Sequence, residues 1–398
     1  MPDAPSLNEA LLAAAHLVVP DAIPGLIDGH AKGLGAESAV LYLVDLDQCA
    51  LVPLCQAGGA PLQEVGIDRT LPGRCYRSLD VVDTLDETGK RTVWVPVVDG
   101  TERLGVLQLV FGGGAHGDLD EIRGFSGLVA QLVMTKGAYG DFFEVARRRK
   151  NVTVAAELLW QLLPPLTFGT EELAIAACFV PTGDLGGDAF DYGVDARSAR
   201  VAVFDAMGHG LDAGLLATTA VAGYRNSRRK GFELPEMAEH VGDAIRCHFD
   251  ASRFVTGILI SLDIATGRLS WCVAGHPPPL LLRQGRVVKH LDLGVGLPFG
   301  VGPASEVFVE QLEPGDRMLL YTDGVTEARA ASGDLFGLDQ LVNLVARTAG
   351  DDPPPETMRR LMHAIEDHND GPMRDDATVV MIEWQGVGTS RPRVCGRS

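Results

Sequence analysis

The alternation of hydrophobic and polar residues predicts two consecutive regions with different architectures. In the first, pairs of apolar strands flank short turns within residues 36–55 and residues 91–111. Residues 7–19 have a helical pattern, and from Asp118 onward apolar residues recur three and four positions apart, as in a helix with one buried face. These elements predict a small α/β sensor-like domain over residues 1–138.

A helical connection is predicted after this domain. The basic run Arg147 to Lys150 is interpreted as a solvated face, and helical apolar spacing resumes over residues 152–162 before Pro164 and Pro165 end it. Residues 139–165 are therefore predicted to form a helical linker. Its apolar stripe fits a coiled coil that makes a homodimer, and it equally fits packing on domains of the same chain.

The second domain, residues 166–385, alternates apolar strands with longer helices. Helices are predicted at residues 211–231 and 234–249, and a short turn at 264–268 joins two strands as antiparallel pairing allows. The predicted strands are 173–181, 201–207, 254–264, 268–275, 280–288, 316–324 and 377–384. We expect an α+β fold with two antiparallel sheets flanked by helices, followed by a disordered tail at residues 386–398.

Composition narrows the class of protein. A chain of 398 residues with 46% hydrophobic content is long for one core and favours two domains. The formal net charge of −19 argues against nucleic acid or an anionic membrane as partner. The seven cysteines form no CxxC pair and predict free thiols in a reducing compartment. Without a basic leader or a long apolar run, the sequence predicts a cytoplasmic protein.

Acidic residues recur where apolar strands of the second domain begin or end. Asp188 follows two glycines, Asp205 and Asp323 end apolar runs, and Asp375 and Asp376 precede the last strand. Clustered carboxylates repel one another unless they are protonated or hold cations. With oxygen donors and no cysteine or histidine pair, Mg²⁺ or Mn²⁺ is favoured over zinc. Two such ions can clamp a phosphoryl group, so the pattern predicts metal-assisted hydrolysis of a phosphate ester.

Seven short motifs follow one another along residues 162–380. They are LLPP (162–165), GGDAFD (186–191), DAMGHG (205–210), AGHPPP (274–279), YTDGVTEA (321–328), LFG (335–337) and DDATVV (375–380). Together they resemble the bacterial SpoIIE/RsbU branch of the metal-dependent protein phosphatases, the protein phosphatase 2C superfamily. The element order of the first domain resembles a GAF domain, with PAS-like and other sensor folds as alternatives.

The resemblance implies an αββα sandwich, a pair of Mn²⁺ or Mg²⁺ ions, and hydrolysis of phosphoserine or phosphothreonine. It implies that Asp205 bridges the ions and that Ala206 contributes its backbone carbonyl. The acids implied to bind metal and to support catalysis are Asp188, Asp205, Asp323 and Asp375. Whether Asp375 or Asp376 is the direct ligand stays open.

Two histidines lie within the motifs. His209 stands four residues after Asp205, whereas the eukaryotic branch has its histidine two residues after the bridging acid. Its role therefore does not transfer, and both a phosphate contact and structural packing stay open. His276 is interpreted as part of a structural turn. The glycine-rich segment 112–117 lacks the GK[ST] continuation of a phosphate-binding loop and is predicted to be an ordinary loop.

The resemblance also implies a setting. The substrate expected for this branch is a phosphorylated STAS-domain antagonist of an anti-sigma factor, with the N-terminal domain regulating the phosphatase. A catalytically weak scaffold that keeps the fold and binds a partner is the alternative, and the presence of all four acids favours the enzyme. The acidic charge disfavours a metal-dependent nuclease or nucleotide hydrolase.

Overall fold

The chain divides into two compact units, one on each side of the bond between Asn151 and Val152. The computed structural model describes residues 7–56, 62–87, 89–112, 117–149, 153–180, 186–291, 294, 296–348, 352–369, 373 and 375–388. Most of the tail predicted to be disordered and the centre of the glycine-rich loop lie outside these residues. Among the described helices, none is both long and apolar enough to cross a bilayer.

The described part of the first unit contains five helices, two short 3₁₀ turns and six strands. In chain order they are α1 (Leu7–Ala15), a 3₁₀ turn (Pro20–Ala22), α2 (Ile23–Ala31), a 3₁₀ turn (Lys32–Leu34), β1 (Ser38–Val44), β2 (Ala50–Pro53), β3 (Val65–Gly66), α3 (Leu71–Ser78), β4 (Val82–Leu85), β5 (Arg91–Asp99), β6 (Glu102–Phe111), α4 (Leu119–Gly137) and α5 (Phe142–Arg147). The two predicted strand pairs are confirmed as β1–β2 and β5–β6.

One antiparallel sheet organises this unit, with the strand order β3-β2-β1-β6-β5-β4. One face carries the larger core, in which Leu41 and Leu107 pack with Phe125 and Val129 of α4. The other face buries a smaller cluster around Tyr76 of α3. Asp118 caps α4 by accepting a hydrogen bond from the Asp120 amide at 2.8 Å. The helices and sheet agree with the predicted α/β pattern, while the likeness to a GAF domain stays a prediction.

The second unit contains six helices and eleven strands in its described part. They are α6 (Val154–Leu162), β7 (Thr167–Gly169), β8 (Leu173–Val180), β9 (Asp188–Val194), β10 (Ser198–Ala206), α7 (Gly210–Arg229), α8 (Leu234–His248), β11 (Val255–Asp263), β12 (Arg268–Ala274), β13 (Leu280–Arg283), β14 (Arg286–His290), β15 (Phe308–Gln311), β16 (Asp316–Tyr321), α9 (Asp323–Glu327), α10 (Gly337–Thr348), α11 (Pro354–His368) and β17 (Ala377–Trp384).

These elements form four layers. One sheet has the order β15-β12-β11-β10-β9 and the other β14-β13-β16-β17-β8-β7, and all of their pairings are antiparallel. Val203 and Ile260 of the first sheet share a core with Met318 and Ile382 of the second. Helices α7 and α8 cover one outer face, and α10 and α11 cover the other. The predicted α+β sandwich of two antiparallel sheets flanked by helices is confirmed.

One strand prediction was wrong. Residues 280–288 were expected to form a single strand, but they form the hairpin β13–β14. Gln284 and Gly285 have φ values of 51° and 74°, and two consecutive residues with positive φ match the right-handed twist of the flanking strands in a tight hairpin. The apolar residues on both sides of this turn concealed it in the sequence.

The predicted linker contains two separate helices. Helix α5 belongs to the first unit and α6 to the second, and residues 150–152 between them lie outside the described part of the chain. Leu159 of α6 is fully buried in the core beneath α7 and α8. The linker's role in signalling or dimer formation stays a prediction.

Replacing Leu159 with alanine should destabilise the second unit. Removing a fully buried leucine side chain costs about 2–5 kcal/mol because transfer energy is lost and a cavity remains. Val154→Ala is the matched control, because Val154 lies on the same helix and is 80% exposed. Urea unfolding of both variants measures the difference, and equal midpoints would contradict the packing described for α6.

Candidate metal centre

Two of the predicted acids lie side by side in the first sheet of the sandwich. Asp188 begins β9 and is the cross-strand partner of Asp205 on β10. The Ala206 amide donates to the Gly187 carbonyl at 3.0 Å, which continues the pairing beyond the strand. Directly paired residues project from the same face of a sheet. The register therefore brings the two carboxylates to one end of the inter-sheet core.

The other two acids come from the second sheet. Asp323 is the first residue of α9, immediately after β16, and Asp375 lies two residues before β17. The Thr322 amide donates to the Thr378 carbonyl at 3.0 Å and aligns the ends of these strands. A Cβ on Gly324 would stand 1.9 Å from the Asp376 carbonyl oxygen. A glycine is therefore required for the start of α9 to approach the segment that carries Asp375.

The carboxylates are close enough to perturb one another. Burial, followed by the charges of Asp205 and Asp376, raises the pKa of Asp188 well above its usual range. Burial raises the pKa of Asp205 to about 7, with further contributions from Asp323 and Asp375. The pKa of Asp375 rises to about 6, first through loss of hydration and then through its acidic neighbours, although its side chain keeps contact with solvent. The acids of both sheets thus form one electrostatic cluster.

Threonine hydroxyls hold the two acids of the first sheet. Thr322 Oγ1 donates to Asp188 Oδ2 at 2.7 Å, and Thr256 Oγ1 donates to Asp205 Oδ2 at 3.4 Å. Thr322 is fully buried. Sequence reasoning missed both residues. Thr322 directly precedes Asp323 in the YTDG motif and could have been noticed there, whereas Thr256 lies in an apolar strand and is recognisable only from its register with Asp205.

The glycine pair before Asp188 fits tightly between its neighbours. The Gly186 amide donates to Asp376 Oδ1 at 3.1 Å, and a Cβ on Gly186 would stand 2.7 Å from the Asp376 carboxylate. A Cβ on Gly187 would stand 2.3 Å from the Ala206 carbonyl oxygen. Because glycine has no side chain, this turn lies directly against Ala206 and Asp376.

The histidines have different positions. His209 is exposed at the start of α7, and its side chain makes no capping hydrogen bond. His276 is 7% exposed, and its Nδ1 lies 3.1 Å from Thr256 Oγ1. Burial lowers the pKa of His276 to about 4. The Tyr321 backbone offsets part of this fall in pKa, although among the described residues no hydrogen bond of ordinary geometry reaches His276 Nε2. His276 is therefore a neutral side chain directly behind the acidic cluster.

Asp191, which belongs to the same GGDAFD motif as Asp188, points to the opposite face of the sheet from Asp188. It accepts a hydrogen bond from Arg225 at 2.7 Å and forms an ion pair with Arg228 at 3.1 Å, both on α7. Although burial raises the pKa of Asp191, these two arginines oppose the rise. Asp191 is thus a structural acid that ties α7 to β9.

The atoms available as metal ligands are of the type that a hard divalent cation prefers. They consist of carboxylate oxygens with the Ala206 carbonyl nearby, and Mg²⁺ and Mn²⁺ prefer such ligands. Within the described part of the chain, no three side chains of His, Cys, Asp or Glu are grouped as closely as a complete metal site requires. Burial first, and then the charges of neighbouring acids, raise the pKa values of Asp188, Asp205 and Asp375. A bound cation would offset both effects.

The chain is similar to several known proteins. Residues 195–385 match the family model described as Stage II sporulation protein E (SpoIIE). Phosphoserine phosphatase RsbU of Bacillus subtilis strain 168 is 24% identical over 236 residues, which cover 59% of this chain and 70% of RsbU. Phosphoserine phosphatase RsbP of the same organism is 27% identical over 169 residues, which cover 40% of this chain and 41% of RsbP.

A solved structure is also similar. The crystal structure of the RsbU and RsbW domains of Rv1364c from Mycobacterium tuberculosis aligns with a TM-score of 0.49 and 26% sequence identity. The alignment covers 54% of this chain and 60% of that chain.

We expect the metal-free protein to lose stability as the pH rises through the titration of the cluster. Because the pKa of Asp205 is raised from 3.8 to about 7, the folded state binds more protons than the unfolded state between these values. The stabilising contribution is complete below about pH 4 and is lost by about pH 7. In chelator, Asp205→Asn should therefore weaken the fall in melting temperature between about pH 5 and about pH 8.

Glu239→Gln provides the control for this experiment. It makes the same change of charge at an exposed position of α8. Calorimetric melts of the three proteins across the pH range give the comparison. The interpretation fails if Asp205→Asn keeps the wild-type pH dependence, or if Glu239→Gln weakens that dependence as strongly.

Proposed function

We infer that this chain, whose second unit belongs to the SpoIIE-type domains of the PP2C phosphatase superfamily, is a protein serine/threonine phosphatase. The family match confirms the resemblance predicted from the motifs of residues 162–380. The observation that carries the function is the convergence of Asp188 and Asp205 from one sheet with Asp323 and Asp375 from the other. Phosphate ester hydrolysis needs such a set of oxygen donors when it depends on divalent cations.

We propose that two Mn²⁺ or Mg²⁺ ions are held by Asp188, Asp205, Asp323 and Asp375 together with the Ala206 carbonyl. When bound, such ions lower the pKa of a water molecule and draw charge from the phosphoryl oxygens. The resemblance implies the bridging role for Asp205, and the charges of Asp323 and Asp375, which both act on its carboxylate, are consistent with a central position. The family match begins after Asp188, so the role of Asp188 depends on its cross-strand pairing with Asp205.

The choice between the two adjacent acids follows from their surroundings. Asp376 is buried and accepts the Gly186 amide, so its carboxylate holds the glycine turn in place. Asp375 is exposed and accepts the Asp376 amide at 2.9 Å, which fixes its orientation. We therefore propose Asp375 as the direct ligand and Asp376 as the residue that supports the turn before Asp188.

We propose a phosphorylated STAS-domain protein as the substrate. The names of RsbU and RsbP describe both as phosphoserine phosphatases, which supports a phosphoserine-containing protein as the substrate. By analogy, the substrate of this chain would be an antagonist of an anti-sigma factor. Regulation by the first unit, a cytoplasmic location and a homodimer stay predictions from the sequence.

Direct assay of phosphate release tests this function. The full chain is incubated with Mn²⁺ and with phosphoserine-containing STAS proteins from the same genome, beside a phosphorylated control protein and a nucleic acid. Loss of phosphate from a STAS protein, detected by mass spectrometry, is the expected result. Hydrolysis of nucleic acid alone would identify a nuclease. Stable binding of the STAS protein without hydrolysis would identify a scaffold.

The acid proposed to contact both ions and an acid proposed to contact one ion should respond differently to substitution. Asp205→Asn should abolish turnover at every Mn²⁺ concentration, because this carboxylate is proposed to contact both ions. Asp323→Asn should lose affinity for one ion, and excess Mn²⁺ should restore part of the activity. Phosphatase assays across a Mn²⁺ titration measure both. Substantial activity of Asp205→Asn at ordinary Mn²⁺ would overturn the two-metal assignment.

A further inference from the structure

A buried histidine and a half-buried threonine form a relay behind Asp205, the acid on which the charges of Asp323 and Asp375 both act. Thr256 Oγ1 lies between His276 Nδ1 at 3.1 Å and Asp205 Oδ2 at 3.4 Å. Thr256 on β11 is the cross-strand partner of Asp205 on β10. The contact to the carboxylate is therefore built into the register of the sheet and does not depend on a flexible side chain.

The backbone brings His276 to this position by an unusual path. Gly275 forms an isolated parallel bridge with Gly257, and its amide donates to the Gly296 carbonyl at 3.0 Å. Its φ is +67°, and a Cβ would stand 2.8 Å from Pro298 Cγ. Any other residue at position 275 would be strained and would displace the loop of Pro298. The AGHPPP motif thus places the imidazole beside β11.

Proton accounting selects one arrangement of this relay. A threonine hydroxyl has one proton to donate, and a neutral imidazole also has one. If His276 carried its proton on Nε2, Nδ1 would accept the hydrogen bond of the Thr256 hydroxyl. Only the lone pairs of Thr256 Oγ1 would then face Asp205. If the proton is on Nδ1, His276 donates to Thr256 and Thr256 donates to Asp205. His276 Nδ1 lies 3.1 Å from Thr256 Oγ1, whereas no hydrogen bond of ordinary geometry reaches the buried Nε2 within the described part of the chain. The Tyr321 backbone acts on the ring and competes for the proton, but the closer contact at Nδ1 favours the arrangement in which His276 donates to Thr256.

We infer that His276 is a positioning residue that, through Thr256, fixes the orientation of the Asp205 carboxylate toward the metal ions. This inference rests on the proposed phosphatase function. It gives His276 a role beyond the structural turn expected from the sequence. The hydroxyl holds Oδ2, and the other carboxylate oxygen keeps its lone pairs for an ion. Asp188 has a comparable support in Thr322, which donates to its Oδ2.

The test compares substitutions that remove the relay with substitutions that keep it. Thr256→Val removes the hydroxyl at nearly constant shape, and Thr256→Ser retains it. His276→Phe removes both ring nitrogens, and His276→Asn places an amide donor near the position of Nδ1. Thr348→Val is the control, since the buried Thr348 donates its hydroxyl to the Leu344 carbonyl at 3.0 Å and lies on α10.

Mn²⁺ affinity measured by calorimetry is the first readout. Loss of a residue that orients a metal ligand typically weakens metal binding by about 10–100-fold. We expect that weakening for Thr256→Val and His276→Phe, near wild-type affinity for Thr256→Ser and Thr348→Val, and partial recovery for His276→Asn. The double variant should bind Mn²⁺ no more weakly than the worse single variant, because both changes break one relay. Melts in chelator identify any variant that does not fold, and the Thr256 pair alone is then decisive.

The tautomer of His276 is the second readout and needs no metal. Nitrogen NMR of the wild-type protein should show the proton on Nδ1, and a proton on Nε2 would overturn the inference. Wild-type Mn²⁺ affinity in Thr256→Val would also overturn it. If wild type binds Mn²⁺ but hydrolyses no phosphoprotein, the proposed function fails while the affinity comparison still decides the role of His276. Absence of Mn²⁺ binding to wild type would overturn both.

Discussion

Repulsion between carboxylates is the constraint on which the second unit depends. Two unit charges about 4 Å apart interact with about 4 kcal/mol at the effective dielectric constant found near protein surfaces. The whole stability of a domain is only about 5–15 kcal/mol. A cluster that includes Asp188, Asp205 and Asp375 is therefore a large local cost. The layered core and the backbone pairing of β9 with β10 hold the acids together against it.

Hydrogen bonds to individual carboxylates make this arrangement specific. Asp188, Asp205 and Asp376 each accept a hydrogen bond, from Thr322, Thr256 and the Gly186 amide respectively. A carboxylate that accepts a hydrogen bond is favoured in its charged form, so these contacts oppose the effect of burial. The result is a site whose acids are oriented while their pKa values stay raised. A carboxylate with a raised pKa and a fixed orientation can release its proton when a cation binds.

Much of this architecture was predictable because it depends on periodicity and on local motifs. The strands β8, β11, β12, β16 and β17 are largely apolar runs. Asp188, Asp323 and Asp375 each stand beside a glycine, a threonine or a second acid, and Asp205 ends an apolar run. The hairpin at Gln284 and Gly285 was missed because apolar residues flank a turn with no asparagine or aspartate. Helices α10 and α11 were not predicted, although both bury one face against the sheet. The roles of Thr256 and His276 could not be predicted, because they depend on which residues lie opposite one another on neighbouring strands. The pattern of a single strand does not contain that information.

The acids of the cluster are far apart in the order of synthesis. Asp188 and Asp205 lie on neighbouring strands in the middle of the chain, while Asp375 arrives some 170 residues after Asp205 and immediately before the central strand β17. While the ribosome is still making residues 206–322, the nascent chain has only the two acids of the first sheet, and until β17 is made β8 lacks this partner. The emerging protein therefore cannot assemble the complete acid cluster until its last strand has left the ribosome. The second sheet and the acidic site are therefore completed at the same step of folding.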